Sequence, residues 1–245
     1  MKVQIMGYGV VGKAQEFLMR HLEHEVTVYD PYIFPERKLK RDVDVTFICT
    51  PEGHVEEALQ TLIKNNVEGL YVIKSTVPVG TTKILSEKYN VHICHNPEFI
   101  REKHAFDDVI NPDRIVIGQC CDAHGQLLFD LYSPLKKPIF VTTSTVSELT
   151  KLVSNAYLST LITFWNEIAE LSQALNVSVS EVANITCADR RISKYGTSFF
   201  GKPFGGSCLP KDLNHMIDTF KRYGLNPILF EAVRRYNDAL RRKVE

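Results

Sequence analysis

Short apolar runs alternate with amphipathic stretches through the first 145 residues, and one glycine-rich turn interrupts them almost at once. Residues 2–6 (Lys-Val-Gln-Ile-Met) read as a buried strand, and residues 10–22 keep apolar side chains at helical spacing. Further strands are predicted at 25–29, 43–49, 71–73, 91–94, 115–117 and 139–141, with a helix over 55–63. Alternation of this kind argues an α/β fold, a doubly wound parallel sheet with helices on both faces. The segment 96–118 is polar, holds Pro97 and Pro112, and reads as a long connection, the kind that often carries function. From Val146 the pattern changes. A long helix is predicted to 174, with apolar positions at Leu149, Leu152, Val153, Ala156, Leu158 and Leu161, and shorter helices at 180–185, 210–223 and 227–242. Two domains are therefore expected, a sheet domain at 1–145 and an all-α helical domain at 146–245.

The turn after the first strand reads Gly7-Tyr8-Gly9-Val10-Val11-Gly12, between a strand and a helix. This is the context in which a dinucleotide fingerprint works. The first glycine makes the turn, the second lets the pyrophosphate approach the backbone, and the third lets helix and strand pack closely. The helix N-terminus offers N–H donors to the phosphates. The second strand ends in Asp30, about twenty residues on, where a carboxylate receives the ribose hydroxyls. Pro31 and Tyr32 follow, with no adjacent arginine for a 2′-phosphate, so NAD is expected rather than NADP. In such sheets ligands lie beyond the carboxyl ends of the strands. Thr50-Pro51, Ser75-Thr76, Asn96 and Glu98 all fall there, and Thr50, Pro51, Ser75 and Thr76 are assigned to the cofactor.

Near the other end, Gly205-Gly206-Ser207-Cys208-Leu209-Pro210-Lys211-Asp212 puts one thiol on a glycine turn before a helix. Pro210 suits the first helical position, which places Cys208 just outside the positive end of the helix. Lys211 adds a cation, assigned to the cofactor side, and Asp212 an acid. A thiol so held suggests covalent catalysis. Lys151 and Asn155 lie four apart on one face of the long helix, and either suit an oxyanion together or are a solvated lysine and a surface asparagine, the commoner case for an isolated pair. Glu102, in the polar connection, would act as acid or base if it turned inward. Aromatic residues between Ser193 and Ser207 either wall a pocket or cover the core.

Composition narrows the classes. With 44% hydrophobic and 24% charged residues the chain is an ordinary globule. Lys plus Arg, at 29, equals Asp plus Glu, at 29, which gives no field for nucleic acid or an acidic membrane. No apolar run is long enough to span a bilayer, and no leader pattern opens the sequence. The six cysteines show neither a Cys-x-x-Cys pair nor zinc spacing, and scattered thiols suit a reducing cytosol. Cys120 and Cys121 read as local packing. His92 and His95 have no evident third ligand, so no metal is expected.

The chain resembles the UDP-glucose and GDP-mannose 6-dehydrogenases. The blocks that carry the likeness are Gly7 to Gly12, Ser75-Thr76-Val77-Pro78-Val79-Gly80, Asn96 to Glu102 with Pro112 to Gly118, Glu148 to Asn155, and Phe204 to Asp212. The resemblance implies a Rossmann-type domain followed by a helical dimerisation domain. It also implies two NAD-dependent oxidations of a sugar 6-hydroxyl, UDP-glucose being the first candidate. Cys208 would be the nucleophile, forming a thiohemiacetal and then a thioester. Glu102 would assist hydrolysis, Lys151 and Asn155 would hold the oxyanion, and Thr76 and Asp212 would hold a water. Phe99, Ile100, Arg101, Glu102 and Gly205 would join Lys151, Asn155 and Cys208 around the substrate, with Glu102 also near the cofactor. Pro203 stands where the family tends to have glycine, and the stretch between the second and third strands is short. The family's third, nucleotide-binding domain has no counterpart in these residues. Either the sequence is part of a longer chain, or the protein is a minimal form, or a separate partner supplies that domain. Two other readings stay open, a single-step β-hydroxyacid dehydrogenase and a non-catalytic nucleotide-binding protein.

Overall fold

In the computed structural model, which describes residues 1–244, strand β1 (Lys2–Met6) sends Val3 and Ile5 to one face of a sheet and Met6 to the other. The same two-residue period divides β3 (Val45–Ile48) and β4 (Leu70–Ile73). Val45, Phe47 and Val72 face one way, Ile48, Tyr71 and Ile73 the other. Both faces are buried, as a parallel sheet between helices requires. On the first face α1 (Val10–His21) and α5 (Asp122–Tyr132) contribute Leu18, Met19, Leu128 and Leu131. On the second, α2 (Val55–Lys64) and α3 (Thr81–Tyr89) contribute Leu59, Leu62 and Leu85.

With β2 (Glu25–Tyr29), β5 (Ile93–His95), β6 (Ile115–Gln119) and β7 (Ile139–Thr143), the sheet has the order β2-β1-β3-β4-β5-β6-β7. The expected parallel sheet forms with one exception. β5 and β6 run antiparallel and share a single register pair, His95 opposite Gly118. The polar connection is also partly folded. Glu102–His104 makes a 3-10 turn and Ala105–Ile110 a short helix, α4. Phe106 of α4 meets Phe17 of α1 edge to face at 5.1 Å.

The structure divides into two units, Met1–Lys151 and Leu152–Glu245. The division falls inside α6 (Ser144–Ala174), later than the change of pattern at Val146. Hydrogen bonds give the reason. The Glu148 carboxylate accepts from Gly80 N (2.6 Å), Thr82 N (2.8 Å) and Thr82 Oγ1 (2.6 Å), and Ser147 Oγ meets His95 Nδ1 at 2.9 Å. The first two turns of α6 are thereby part of the sheet unit.

In the second unit α7 (Val179–Thr186) is capped by Ser178, whose side chain accepts from Glu181 N. Trp165 of α6 is buried with Ala183 and Cys187, and Phe200 lies across it at 6.2 Å. Phe204 is buried too. For these two aromatics the loop before Cys208 is core cover. The Asn237 side chain fixes that loop: Phe204 N donates to its Oδ1 (2.8 Å) and its Nδ2 donates to Phe204 O (3.1 Å). α8 (Cys208–Arg222) and α9 (Ile228–Val244) complete the unit.

Candidate active site

The glycine turn takes the form expected of it. Gly7 has φ +91° and its N–H donates to Tyr29 O at 3.0 Å, tying β1 to β2. A Cβ on Gly12 would lie 2.0 Å from the Gly7 carbonyl oxygen, so helix α1 comes as near to the turn as a glycine permits. Gly9, by contrast, faces open space, with nothing within 4 Å of a Cβ placed there. Val10 and Val11 open the helix whose free N–H groups lie beside that space. The Asp30 carboxylate accepts from Tyr8 N (2.8 Å), Tyr32 N (3.0 Å) and Ile33 N (3.2 Å). It thus clamps the turn to the end of β2 and keeps further acceptor capacity for hydroxyls. Ser75 Oγ donates to Thr50 O at 2.5 Å, while Thr50 Oγ1 is buried without a hydrogen-bond partner among the described residues. The open glycine and this waiting hydroxyl fit a dinucleotide. Pro51 stays exposed and Thr76 half-buried beside them.

A second set forms beyond β5. Lys151 Nζ lies 3.0 Å from Glu98 Oε1, and both side chains are largely buried. Lys151 also lies over the Phe99 ring at 5.3 Å, and Arg114 at 4.0 Å. Glu98 Oε2 accepts from Ile100 N at 2.9 Å. Arg101 is committed to Asp108 through its Nε (3.0 Å) and a terminal nitrogen (2.6 Å). Glu102 is exposed in the 3-10 turn rather than turned inward. Deeper still, Lys74 Nζ donates to Asn96 Oδ1 (2.9 Å), which also accepts from Tyr132 OH (2.6 Å). Burial pushes the Lys74 ammonium down to about 8.

The sequence reading noticed Glu98 and Asn96 only as strand-end residues, and missed Lys74 and the pairing of Glu98 with Lys151. Polar residues at consecutive strand ends were the available signal. Breaking the Lys151–Glu98 pair leaves a mostly buried carboxylate alone. Lys151→Met is expected to cost about 3 kcal/mol of stability in urea unfolding. Lys151→Met combined with Glu98→Gln should regain most of that loss. Equal losses in the single and double variants would show that the pair is not what stabilises this region.

In the second unit Asn155 Nδ2 donates to Asp212 Oδ2 at 2.5 Å, and Lys211 Nζ lies 2.8 Å from Asp212 Oδ1. Asp212 is almost fully buried. Cys208 is exposed, next to Gly205 and Gly206, which face open space, and Ser207 Oγ lies 3.6 Å from its sulfur. One expectation is corrected. α8 begins at Cys208, not at Pro210, so the thiol sits in the first turn rather than ahead of it. Proline is tolerated there because the first four N–H groups of a helix have no intrahelical acceptor. Cys208 and Asp212 are then four residues apart on one helix.

The first unit is a dinucleotide-binding domain of the Rossmann class. The chain belongs to the UDP-glucose/GDP-mannose dehydrogenase family. Residues 35–136 match the family's NAD binding domain, and residues 145–239 match its central domain. It is 32% identical to UDP-glucose 6-dehydrogenase of Rickettsia typhi, over 90% of this chain and 64% of that protein. It is 34% identical to UDP-glucose 6-dehydrogenase TuaD of Bacillus subtilis, over 82% of this chain and 48% of that protein. The chain thus spans about half to two thirds of the length of these curated relatives. A UDP-glucose dehydrogenase from Pyrobaculum islandicum superposes with a TM-score of 0.86 at 28% identity, covering 97% of this chain and 68% of that one. The fold alone is shared with a 3-hydroxyisobutyrate dehydrogenase from Mycobacterium tuberculosis. There the TM-score is 0.80 at 14% identity, covering 97% of this chain and 92% of that one.

Proposed function

We propose that the chain oxidises the 6-hydroxyl of a nucleotide sugar to a carboxylate in two NAD-dependent steps, through a thioester on Cys208, with UDP-glucose as substrate. The observation that carries the reading is the pairing of Asn155 with the buried Asp212, one helical turn beyond an exposed thiol on an open glycine turn. A single oxidation of an alcohol has no use for that thiol. NAD, when bound, accepts the hydride at each oxidation.

Cys208 holds the aldehyde between the two oxidations. Its sulfur adds to the aldehyde carbon and the carbonyl oxygen takes a proton. Loss of hydride and that proton then leaves the thioester. Water adds to the thioester carbon, the C–S bond breaks, and the sulfur leaves as thiolate. The sum is one alcohol, two NAD and one water giving one carboxylate, two NADH and protons. Lys151 and Asn155 supply the cation and the amide N–H that stabilise a developing oxyanion. Asp212, held by Asn155 and Lys211, orients the water. Glu102, exposed on its turn, has to close over the substrate to serve as acid or base. The nucleotide's own binding site is proposed to come from beyond these residues, in the same chain or in a partner.

The test is NADH formed per UDP-glucose consumed. Two per sugar supports the reading, and one per sugar moves the chain to the single-step dehydrogenases. NAD binding without turnover, persisting in the presence of a nucleotide-binding partner domain, moves it to the binding proteins.

A second copy of the chain is the proposed partner of α6, where Val153, Tyr157, Phe164 and Leu171 are exposed at helical spacing. Sedimentation should give a dimer at micromolar concentration, and a monomer there would overturn this.

A further inference from the structure

Outside everything this chemistry uses, four ligand-type side chains converge at one edge of the sheet. His92 immediately precedes β5, Cys120 and Cys121 follow β6, and His124 lies in the first turn of α5. Because β5 and β6 run antiparallel, with His95 opposite Gly118, the residue before one strand meets the residues after the other. Cys120 Sγ lies 3.2 Å from His124 Nδ1 and 3.6 Å from His92 Nδ1. Cys121 Sγ lies 3.3 Å from the same His124 nitrogen. The ligand atoms of all four residues fall within 4.8 Å of one another.

The three sulfur-to-nitrogen separations are close to those of a coordination shell. Around a tetrahedral zinc ion, with bonds of about 2.3 Å to sulfur and about 2.0 Å to nitrogen, ligand atoms stand roughly 3.3–3.8 Å apart. Two thiolates and two imidazoles are also the donor set that selects zinc over hard cations. The expectation of no metal rested on linear spacing, and this set has none of the usual spacings, because the antiparallel step assembles it.

We propose that His92, Cys120, Cys121 and His124 bind one zinc ion as a closed structural site. Binding releases the two thiol protons and leaves the imidazoles neutral. The Cys94 thiol, buried and 3.7 Å from Cys120 Sγ, donates to that sulfur from behind and completes the shell. The site has work to do at this place. β5 is three residues long and is held to β6 by one register pair, so the seam is the least-paired in the sheet. A metal joining the segments on either side would fix it. The site lies at the amino end of β5, whereas Asn96 and Glu98 follow its carboxyl end, so zinc here takes no part in the oxidation.

The test uses the full chain, stripped with chelator under reducing conditions and reloaded with zinc or with cobalt. Bound metal is counted after dialysis, and the cobalt form is read by its absorption. The expected result is one ion per chain, with a sulfur-to-cobalt charge-transfer band and the strong visible bands of a tetrahedral site. Cys121→Ser and His124→Asn should weaken binding at least about a hundredfold, while Cys208→Ser binds as the wild type does. Zinc should raise the melting temperature of the wild type and not of the variants. Retained NAD binding by the variants excludes misfolding as the cause of metal loss. Metal uptake no greater than that of the Cys120→Ser, Cys121→Ser double variant would overturn the proposal. So would cobalt bound without the sulfur band.

Discussion

Gly12→Ala is expected to abolish NAD binding and to destabilise the first unit by about 3 kcal/mol, the upper end of ordinary overpacking. The added methyl would sit 2.0 Å from the Gly7 oxygen and 3.0 Å from the Gly7 carbonyl carbon. Both are backbone atoms of a turn held on its other side by the Gly7–Tyr29 hydrogen bond, so neither can swing away as a side chain would. Relief requires helix α1 to lift from β1, which moves its N-terminal N–H groups off the phosphates. Gly9→Ala separates binding from stability. Gly9 has φ −74° and nothing near its would-be Cβ, so the melting temperature should hold, with stability within about 0.5 kcal/mol of wild type. NAD affinity should nonetheless fall at least about tenfold, because the methyl occupies the space left for the pyrophosphate. Isothermal titration with NAD and urea unfolding of both variants distinguish the roles. If Gly9→Ala binds NAD normally, the open space beside it is not the phosphate site.

What could be read without a structure was local. The glycine turn, Asp30 and the first strand and helix lie within thirty residues, and their spacing states their geometry. The strand-to-helix alternation gave most of the sheet for the same reason. Three helices escaped notice. α3 buries only Thr82 and Leu85, too little for an apolar stripe to show. α4 has six residues, and α5 carries Gly125 at its fourth position, packed so that a Cβ would meet Gln119 Oε1 at 1.9 Å. The functional contacts that went unseen are those between distant residues. Glu98 and Lys151 pair across more than fifty positions, and His92 and Cys120 meet through an antiparallel step that no hairpin announces. Residue types at strand ends pointed to a region, and only the fold paired them. The family resemblance named Lys151, Asn155, Cys208 and Asp212 together. The structure pairs Asn155 with Asp212, and it gives Lys151 a partner, Glu98, that the resemblance did not name.

Cys208→Ala should reduce steady-state NADH formation from UDP-glucose by roughly a thousandfold or more, the scale on which loss of a nucleophile is felt. The shape of the residual progress curve carries the argument. The first oxidation does not need the sulfur, so mixing enzyme, NAD and sugar should still give NADH up to one equivalent per site, and then stop. An aldehyde reagent added at that point should capture the sugar in the variant and not in the wild type, where Cys208 already holds it. NAD binding should be unchanged, because the thiol is not among the residues assigned to the cofactor. Asp212→Asn is a second probe of the same helix. It keeps a partner for Asn155 but removes the negative charge beside Lys211, so it should slow release of the acid more than the first burst of NADH. A Cys208→Ala variant that still made two NADH per sugar would exclude the thioester. The aldehyde would then be oxidised as its hydrate, with water in place of the sulfur. An exposed cysteine on an open glycine turn, one helical turn from a buried acid, would in that case need another explanation.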